Sequence, residues 1–271
     1  MSTDPGPQTD RPAGAAPGWV APELLRRMAT RLAPVKIASY EALRLVPGAR
    51  VLDVGCGPAT DTLELAQRVG ESGAVLGVDS HPQMIAEAVR RAAAAGLGAR
   101  VEHRLADARD LPFDDGSFDA CRSERLFQHL ERPETVLAEM LRVTRPGGRV
   151  AVVDTDHGAT VMDTPESEVL HRLVQAAAQR LPNGLAGRRL YGLLRRAGLA
   201  EVEVTVFPVI LTDYQEARHL GQFEQAAEGA VEAGAVTRDE LDRLRRSLDE
   251  AQAADAFFGT STLVLAAGTR P

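Results

Sequence analysis

Short apolar runs, each closed by a glycine, proline or acidic residue, recur through the first half of the chain. Val51-Leu52-Asp53-Val54, Ala74-Val75-Leu76-Gly77-Val78 and Val150-Ala151-Val152-Val153 are nearly continuous. That pattern marks strands buried on both faces of a parallel sheet. With two more alternating runs it predicts strands over Arg50 to Val54, Ala74 to Asp79, Arg100 to Leu105, Phe118 to Arg122 and Arg149 to Asp154. Helical spacing fills the gaps. One helix runs to Val69 with Thr60 or Asp61 as its cap; a second runs from Pro82 to near Gly96, with Ser80 and Gln83 as a capping box; a third covers Pro133 to Val143. Strand and helix alternating in this way give an α/β doubly wound, mostly parallel sheet with right-handed crossovers.

The alternation loosens after Asp154. Helices are expected over Pro165 to Leu181, Gly187 to Ala197, Tyr214 to Ala233 and Thr237 to Ala254, with strands over Glu201 to Leu211 and Phe257 to Ala267. The last two bring the sheet to seven strands. Before the first strand, Glu23 to Leu32 and Val35 to Leu45 read as helices, and Met1 to Gly18 is too rich in Pro, Gly, Ala and Asp to build a core. The expected organisation is a disordered tail over 1–18, N-terminal cap helices over 19–47, and one domain over 48–271. Helical insertions at about 158–186 and 213–255 form a lid. The arginines at 188, 189, 195 and 196 read as a solvated helix face.

Charge and cysteine content narrow the function classes. A net charge of −7 argues against a broad phosphate-backbone surface, so no nucleic-acid partner is expected. The two cysteines, Cys56 and Cys121, suggest neither a disulfide framework nor a zinc site. No signal peptide and no run of about 18 apolar residues is evident. The expectation is a cytoplasmic monomer or homodimer with no membrane partner.

The chemistry gathers at strand ends. Asp53 precedes a turn with glycines at 55 and 57, Asp79 ends the second strand, and Asp107 follows the third. In an open parallel sheet, ligands bind beyond the carboxyl ends of the strands. There Asp79 can accept from ribose hydroxyls and Asp107 from an adenine amino group. A dinucleotide loop wants a small residue where Thr60 stands, and a carboxylate at 53 would repel a pyrophosphate. The same carboxylate suits a cationic sulfonium with a free ammonium, as in S-adenosylmethionine.

Asp53-Val54-Gly55-Cys56-Gly57, Gly77-Val78-Asp79, Ala106-Asp107-Ala108 with Leu111-Pro112-Phe113, Ser117-Phe118-Asp119 and Arg145-Pro146-Gly147-Gly148 together resemble the class I S-adenosylmethionine-dependent methyltransferases. The nearest subgroup is similar to the ubiquinone and menaquinone C-methyltransferases and to bacterial natural-product enzymes. The resemblance covers about residues 45 to 155. It implies a Rossmann-like fold and transfer of a methyl group to a small-molecule acceptor, leaving S-adenosylhomocysteine. It places Gly55 and Gly57 beside the methionine part, Asp79 at the ribose, and Asp107 with Ala108 at the adenine. Asp53, Cys56, Ser80, Met84 and Ser123 complete the expected cofactor contacts. Ala59 stands where many members have a third glycine; as the smallest replacement it is expected to matter little.

For an acceptor that must lose a proton, the base candidates are His129, His157 and Glu124, in loops that follow the fourth and fifth strands. Arg125, Gln128, Tyr40 and Tyr191 are the expected acceptor contacts. Asp154 and Asp156 lack a third oxygen ligand at fitting spacing, so no metal is expected. Two other readings stay open: an RNA or protein methyltransferase, and a cofactor-binding homologue that catalyses a non-methylating step such as a cyclisation.

Overall fold

A computed structural model describes residues 31–220 and 223–271. The expected tail, Trp19 and nearly all of the helix over Glu23 to Leu32 lie outside these residues. The elements run α1 (Ala33–Ala42), β1 (Arg50–Val54), α2 (Thr60–Val69), β2 (Ala74–Asp79), α3 (Pro82–Ala94), β3 (Val101–Leu105) and β4 (Phe118–Glu124). A 3₁₀ turn (Phe127–His129) leads to α4 (Pro133–Val143), β5 (Thr144–Met162), α5 (Ser167–Gln179), α6 (Ala186–Arg196) and β6 (Ala200–Leu211). The chain then forms α7 (Tyr214–Leu220), α8 (Phe223–Glu232), α9 (Arg238–Ala253) and β7 (Gly259–Thr269). The sheet order is β3-β2-β1-β4-β5-β7-β6. β1 to β5 are parallel, and β7 inserts antiparallel between β5 and β6. The strand order reverses at β1–β4, which opens the ligand crevice at their carboxyl ends.

Several boundaries differ from the sequence pattern for identifiable reasons. β5 continues past Asp154 because β7 goes on pairing with it, Thr155 with Leu263 and Asp156 with Thr262. The register then slips before Val161 pairs with Thr260, so residues 157–160 bulge from the ladder. The helix expected over Tyr214 to Ala233 is two, α7 and α8. Neither Thr60 nor Asp61 caps α2; Ala59 holds that position in a left-handed conformation, φ 64°. The Ser80–Gln83 capping box is not formed: His81 is the N-cap residue, and the Asp79 carboxylate instead accepts its N–H at 2.9 Å. At α9 a reciprocal capping box does form, between Thr237 and Glu240.

Side chains alternate across the sheet. Leu52 and Val54 join one core with α4 and α6, whereas Val51 joins the opposite core with α1 and α2. α5, α7, α8 and α9 bury a third core of their own around Leu173, Tyr214, Phe223 and Leu244. Among the described residues no helix is long and apolar enough to cross a membrane.

The alternation that sends Val51 toward α1 sends Asp53 the same way, and Arg122 stands opposite it in the β1–β4 register. Arg122 is completely buried. Its guanidinium reaches Asp53 at 3.2 Å, Asp61 at 3.5 Å and Ser39 at 2.9 Å, donates to Glu124, and lies 5.1 Å from the Tyr40 ring centre. Lys36 of α1 donates to both oxygens of Asp61 at 2.8 Å and to both of Glu124, the nearer at 2.8 Å. The Tyr40 hydroxyl closes the ring by donating to Asp61. Burial opposes ionisation of Asp61, yet Arg122, Lys36 and the Tyr40 hydroxyl hold its carboxyl well below the usual range. Burial wins at Asp53, which is pushed up to about 7. The cluster ties α1 and α2 to the two central strands beneath the glycine turn.

Removing one partner from a buried ionic group leaves desolvated charge behind and costs about 3–5 kcal/mol. Arg122→Met should therefore lower the urea-unfolding free energy by about that amount. A loss under about 1 kcal/mol would mean that water screens the cluster as it screens surface pairs.

Candidate active site

β1 delivers the chain into a turn that needs left-handed backbone at Gly55 (φ 76°), Gly57 (φ 53°) and Ala59 (φ 64°). The N–H groups of Gly55 and Cys56 both donate to the Val78 carbonyl, at 2.8 and 2.9 Å, which pins the turn to β2. Ala59 thus matters through conformation, not size: a left-handed alanine carries a penalty of about 1–2 kcal/mol that glycine avoids. At Gly57 a Cβ would meet nothing within 4 Å, so the backbone borders open space. The Cys56 thiol packs where a Cβ on Gly77 would come within 2.8 Å, and burial raises its pKa well above the ordinary thiol value. It is a packing group with little thiolate.

Asp79 at the end of β2 accepts from the Gly57 N–H at 3.0 Å as well as from His81. Burial raises its carboxyl, while these two donors pull it back. Met84 is buried in the first turn of α3, and Ser80 is exposed at the rim. Asp107 is exposed and engaged by Arg109, whose Nη2 lies 2.6 Å away and whose pairing holds the carboxyl below its usual range. Ala108 follows it, half-buried against the core. Two buried polar atoms near the turn have no hydrogen-bond partner, the second carboxylate oxygen of Asp53 and the hydroxyl of Ser123. Orphaned acceptors beside an open glycine backbone fit a ligand that brings its own donors.

A second space of about 250 Å³ opens past the ends of β4 and β5. Leu170, Leu173 and Val174 of α5 and Phe223 of α8 form much of its wall, with Met162, Leu211 and Leu263 from the strands. Its polar end is made by Arg125, Gln128, His129 and His157. Among the described residues no carboxylate lines it. The crevice and the cavity meet at Arg125–Leu126. Leu126 stands 3.3 Å from where a Gly55 Cβ would be, and Arg125 adopts a left-handed conformation (φ 54°) with its N–H held by the Val153 carbonyl at 2.8 Å.

The bulge in β5 carries His157 to the cavity, and its N–H is held by the Gly184 carbonyl at 3.0 Å. The 3₁₀ turn brings His129, and the Gln128 side chain bridges the two rings. Burial, reinforced by Arg125, lowers the pKa of His129; burial and the neighbouring His129 bring His157 down to about 4. Both are neutral bases at pH 7. Beneath them the buried Asp154 carboxylate accepts the Gln128 N–H at 3.1 Å and the Thr155 N–H at 2.8 Å. Burial pushes that carboxyl up to about 7 despite these bonds.

Three residues expected here are placed elsewhere. Glu124 is committed to Arg122 and Lys36 and is unavailable as a base. Tyr40 is buried against Asp61 and Arg122, away from the cavity lining. Tyr191 is half exposed on α6 and does not line the cavity. Conversely, Arg188 is more than a solvated residue, because it donates to the buried Asp156 at 2.6 Å. Arg189 donates to Asn183 at 2.6 Å, and the Asn183 amide in turn donates to the Phe127 carbonyl at 3.2 Å, steadying the 3₁₀ turn. Charged residues set among apolar strand positions, Asp53 in β1 and Arg122 in β4, were the visible signs of the buried cluster.

Comparison with known proteins agrees with this geometry. Residues 51–148 match the methyltransferase domain family. Methyltransferase GfsG of Streptomyces halstedii is 34% identical over 166 residues, 61% of this chain and 58% of that protein. An uncharacterized 37.1 kDa protein of transposon TN4556 from Streptomyces fradiae is 37% identical over 229 residues, 84% of this chain and 64% of that protein. The chain thus spans less than two thirds of the length of either relative. In fold it is similar to a geranyl diphosphate methyltransferase solved with S-adenosylmethionine, at TM-score 0.56 and 20% identity, covering 94% of this chain and 93% of that one. Sheet order, glycine turn and sequence match converge, and residues 51–148 of this chain belong to the methyltransferase domain family.

Proposed function

We propose that this protein transfers a methyl group from S-adenosylmethionine to a small, largely apolar acceptor by in-line displacement. The observation that carries this reading is the meeting of the glycine-turn crevice and the apolar cavity at Arg125–Leu126. One space suits a cofactor, the other an acceptor, and a single segment borders both. When bound, S-adenosylmethionine supplies an electrophilic methyl on a positively charged sulfur. The rest falls to the protein's own groups. Gly55 and Gly57 let backbone approach, Asp79 accepts from hydroxyls, and the orphaned oxygen of Asp53 and hydroxyl of Ser123 suit the ammonium end of the cofactor. Asp107 could serve an adenine amino group once Arg109 shares it. Met84 offers apolar contact from α3.

Much of the acceleration in such a reaction comes from alignment. The cavity supports this by holding an acceptor between the lid helices and the strand ends, against a largely apolar wall. Its size and apolar wall favour a small molecule over an RNA or a protein chain, and a secondary metabolite, quinone or isoprenoid precursor fits that description. His129 and His157 are the groups that can take a proton. Formation of one S-adenosylhomocysteine per product, with a radiolabelled methyl recovered in the acceptor, tests the reading directly. Product without S-adenosylhomocysteine would instead mark a non-methylating reaction.

Asp79→Ala should weaken S-adenosylmethionine binding about tenfold or more by calorimetry, because charge-assisted bonds worth about 1.5–3 kcal/mol are lost. Unchanged affinity would remove Asp79 from the cofactor site. A second expectation concerns pH. Asp53 is pushed up to about 7 in the free protein, and a bound cation lowers it, so binding releases a proton. Affinity should therefore rise with pH through about 7, with roughly half a proton released at pH 7, and Asp53→Asn should abolish the dependence. Calorimetry in buffers of different ionisation enthalpy measures this. Finally, His129→Ala and His157→Ala should leave cofactor affinity within about twofold. At least one should lower turnover roughly 10²-fold or more, the range of general-base contributions. Full turnover in both would mean that the acceptor needs no base.

A further inference from the structure

His129 and His157 share one intermediary, and the atoms that surround it decide where their protons lie. The Gln128 amide nitrogen is 3.2 Å from the Arg125 carbonyl and 3.1 Å from Nε2 of His129. Its amide oxygen is 2.6 Å from Nε2 of His157. The opposite amide orientation would set two acceptors, the amide oxygen and the Arg125 carbonyl, against each other. One amide hydrogen therefore goes to the carbonyl and the other to His129, whose Nε2 must be bare and whose Nδ1 carries the proton. The amide oxygen accepts from His157, whose Nε2 carries the proton and whose Nδ1 is bare. Neither Nδ1 has a hydrogen-bond partner among the described residues, both stay accessible, and both rings line the cavity.

Gln128 itself is held from several sides. Its N–H donates to Asp154 at 3.1 Å, and its carbonyl accepts from the Asn183 N–H at 3.0 Å. Glutamine at this position meets a specific need: an apolar residue would leave both rings unfixed, and a carboxylate would draw a proton onto Nε2 of each. Among the described residues the charges around the pair are Arg125 from the end of β4, Asp154 and Asp156 from β5, and Arg188 from α6, which is taken up by Asp156; Arg31, which also lines the cavity, is paired with Glu216.

We infer that Gln128 is a positioning residue that fixes the two histidines as complementary tautomers, His157 bare at Nδ1 and His129 protonated at Nδ1, to receive an acceptor hydroxyl on a lipophilic molecule. The inference rests on the methyl-transfer reading above. In the step it serves, the acceptor O–H gives its proton to Nδ1 of His157, and the oxygen pair forms the new C–O bond. The methyl–sulfur bond of the sulfonium donor breaks, its electron pair staying on sulfur. The products are a methyl ether, S-adenosylhomocysteine and protonated His157, which returns its proton to water. His129 donates a hydrogen bond from Nδ1 to the acceptor. A protonated amine is a poor match, because among the described residues no carboxylate lines the cavity to balance its charge.

Two measurements on the full chain test this. Nitrogen-15 NMR of the histidine rings at pH 7.5, without ligand, should find His157 protonated at Nε2 and His129 at Nδ1. Gln128→Leu should lose both preferences; Gln128→Glu should move only the His129 proton to Nε2. Turnover is then measured with lipophilic phenols, hydroxyquinones and prenyl alcohols, with alkylamines of similar size beside them. Hydroxyl acceptors should be methylated and amines not. Gln128→Leu should lower kcat roughly ten- to hundredfold at unchanged cofactor affinity. In a His157→Ala background, Gln128→Leu should cost less turnover than it costs the wild type, because only its hold on His129 is left to lose. A purely structural role would make the two losses multiply. His129 found protonated at Nε2 in the wild type, additive losses, or faster methylation of amines would overturn the inference. No methyl transfer by the wild type to any acceptor would overturn the reading beneath it instead, and the ring-nitrogen pattern would still decide the tautomers.

Discussion

The structure depends on Arg122 being neutralised where no water reaches it. A fully buried guanidinium is stable only among fixed acceptors, and Asp53, Asp61, Glu124 and Ser39 come from four different elements to provide them. Satisfying one charge therefore fixes α1, α2, β1 and β4 relative to one another. The glycine turn springs directly from that junction, so the shape of the cofactor crevice follows from the same contacts. Asp53 belongs to both systems, with one oxygen turned to Arg122 and the other without a protein partner.

The acceptor side is built on a different principle. There the strand ends carry a small polar cluster of Arg125, Gln128, His129 and His157, supported by the buried Asp154. Helices α5 and α8 add apolar wall. Neutral imidazoles in such a setting accept protons without a charge having been buried beforehand, and Arg125 and the enclosing side chains keep them neutral.

Much of this was legible in the sequence because it is local. Continuous apolar runs marked β1 and β2 to the residue, and glycine and acidic punctuation marked their ends. His129, His157, Gln128 and Arg125 were legible as loop residues at the correct end of the sheet, and all four line the cavity. Non-local partners were not legible. Glu124 looked like a candidate base because nothing nearby in sequence shows that Lys36, 88 residues earlier, is bonded to it. Tyr40 misled for the same reason, its partner Asp61 being 21 residues away. The extension of β5 through polar residues depends on β7, which contributes backbone bonds and not an apolar pattern. Ala59 was judged by size, whereas its backbone angle is what distinguishes it from glycine.

The separate hydrophobic core of α5, α7, α8 and α9 has a consequence for how such a protein diversifies. Residues of α5 and α8 that wall the cavity pack mainly against one another and against α7 and α9, while the histidine pair stands in the 3₁₀ turn after β4 and the bulge of β5. Side chains of α5 and α8 can therefore be exchanged, to lengthen or reshape the space, without disturbing the buried charges that hold the cofactor end. The fold in effect divides heritable change into two compartments. Variation in α5 and α8 reshapes the cavity, and variation around Arg122 disturbs the junction of α1, α2, β1 and β4.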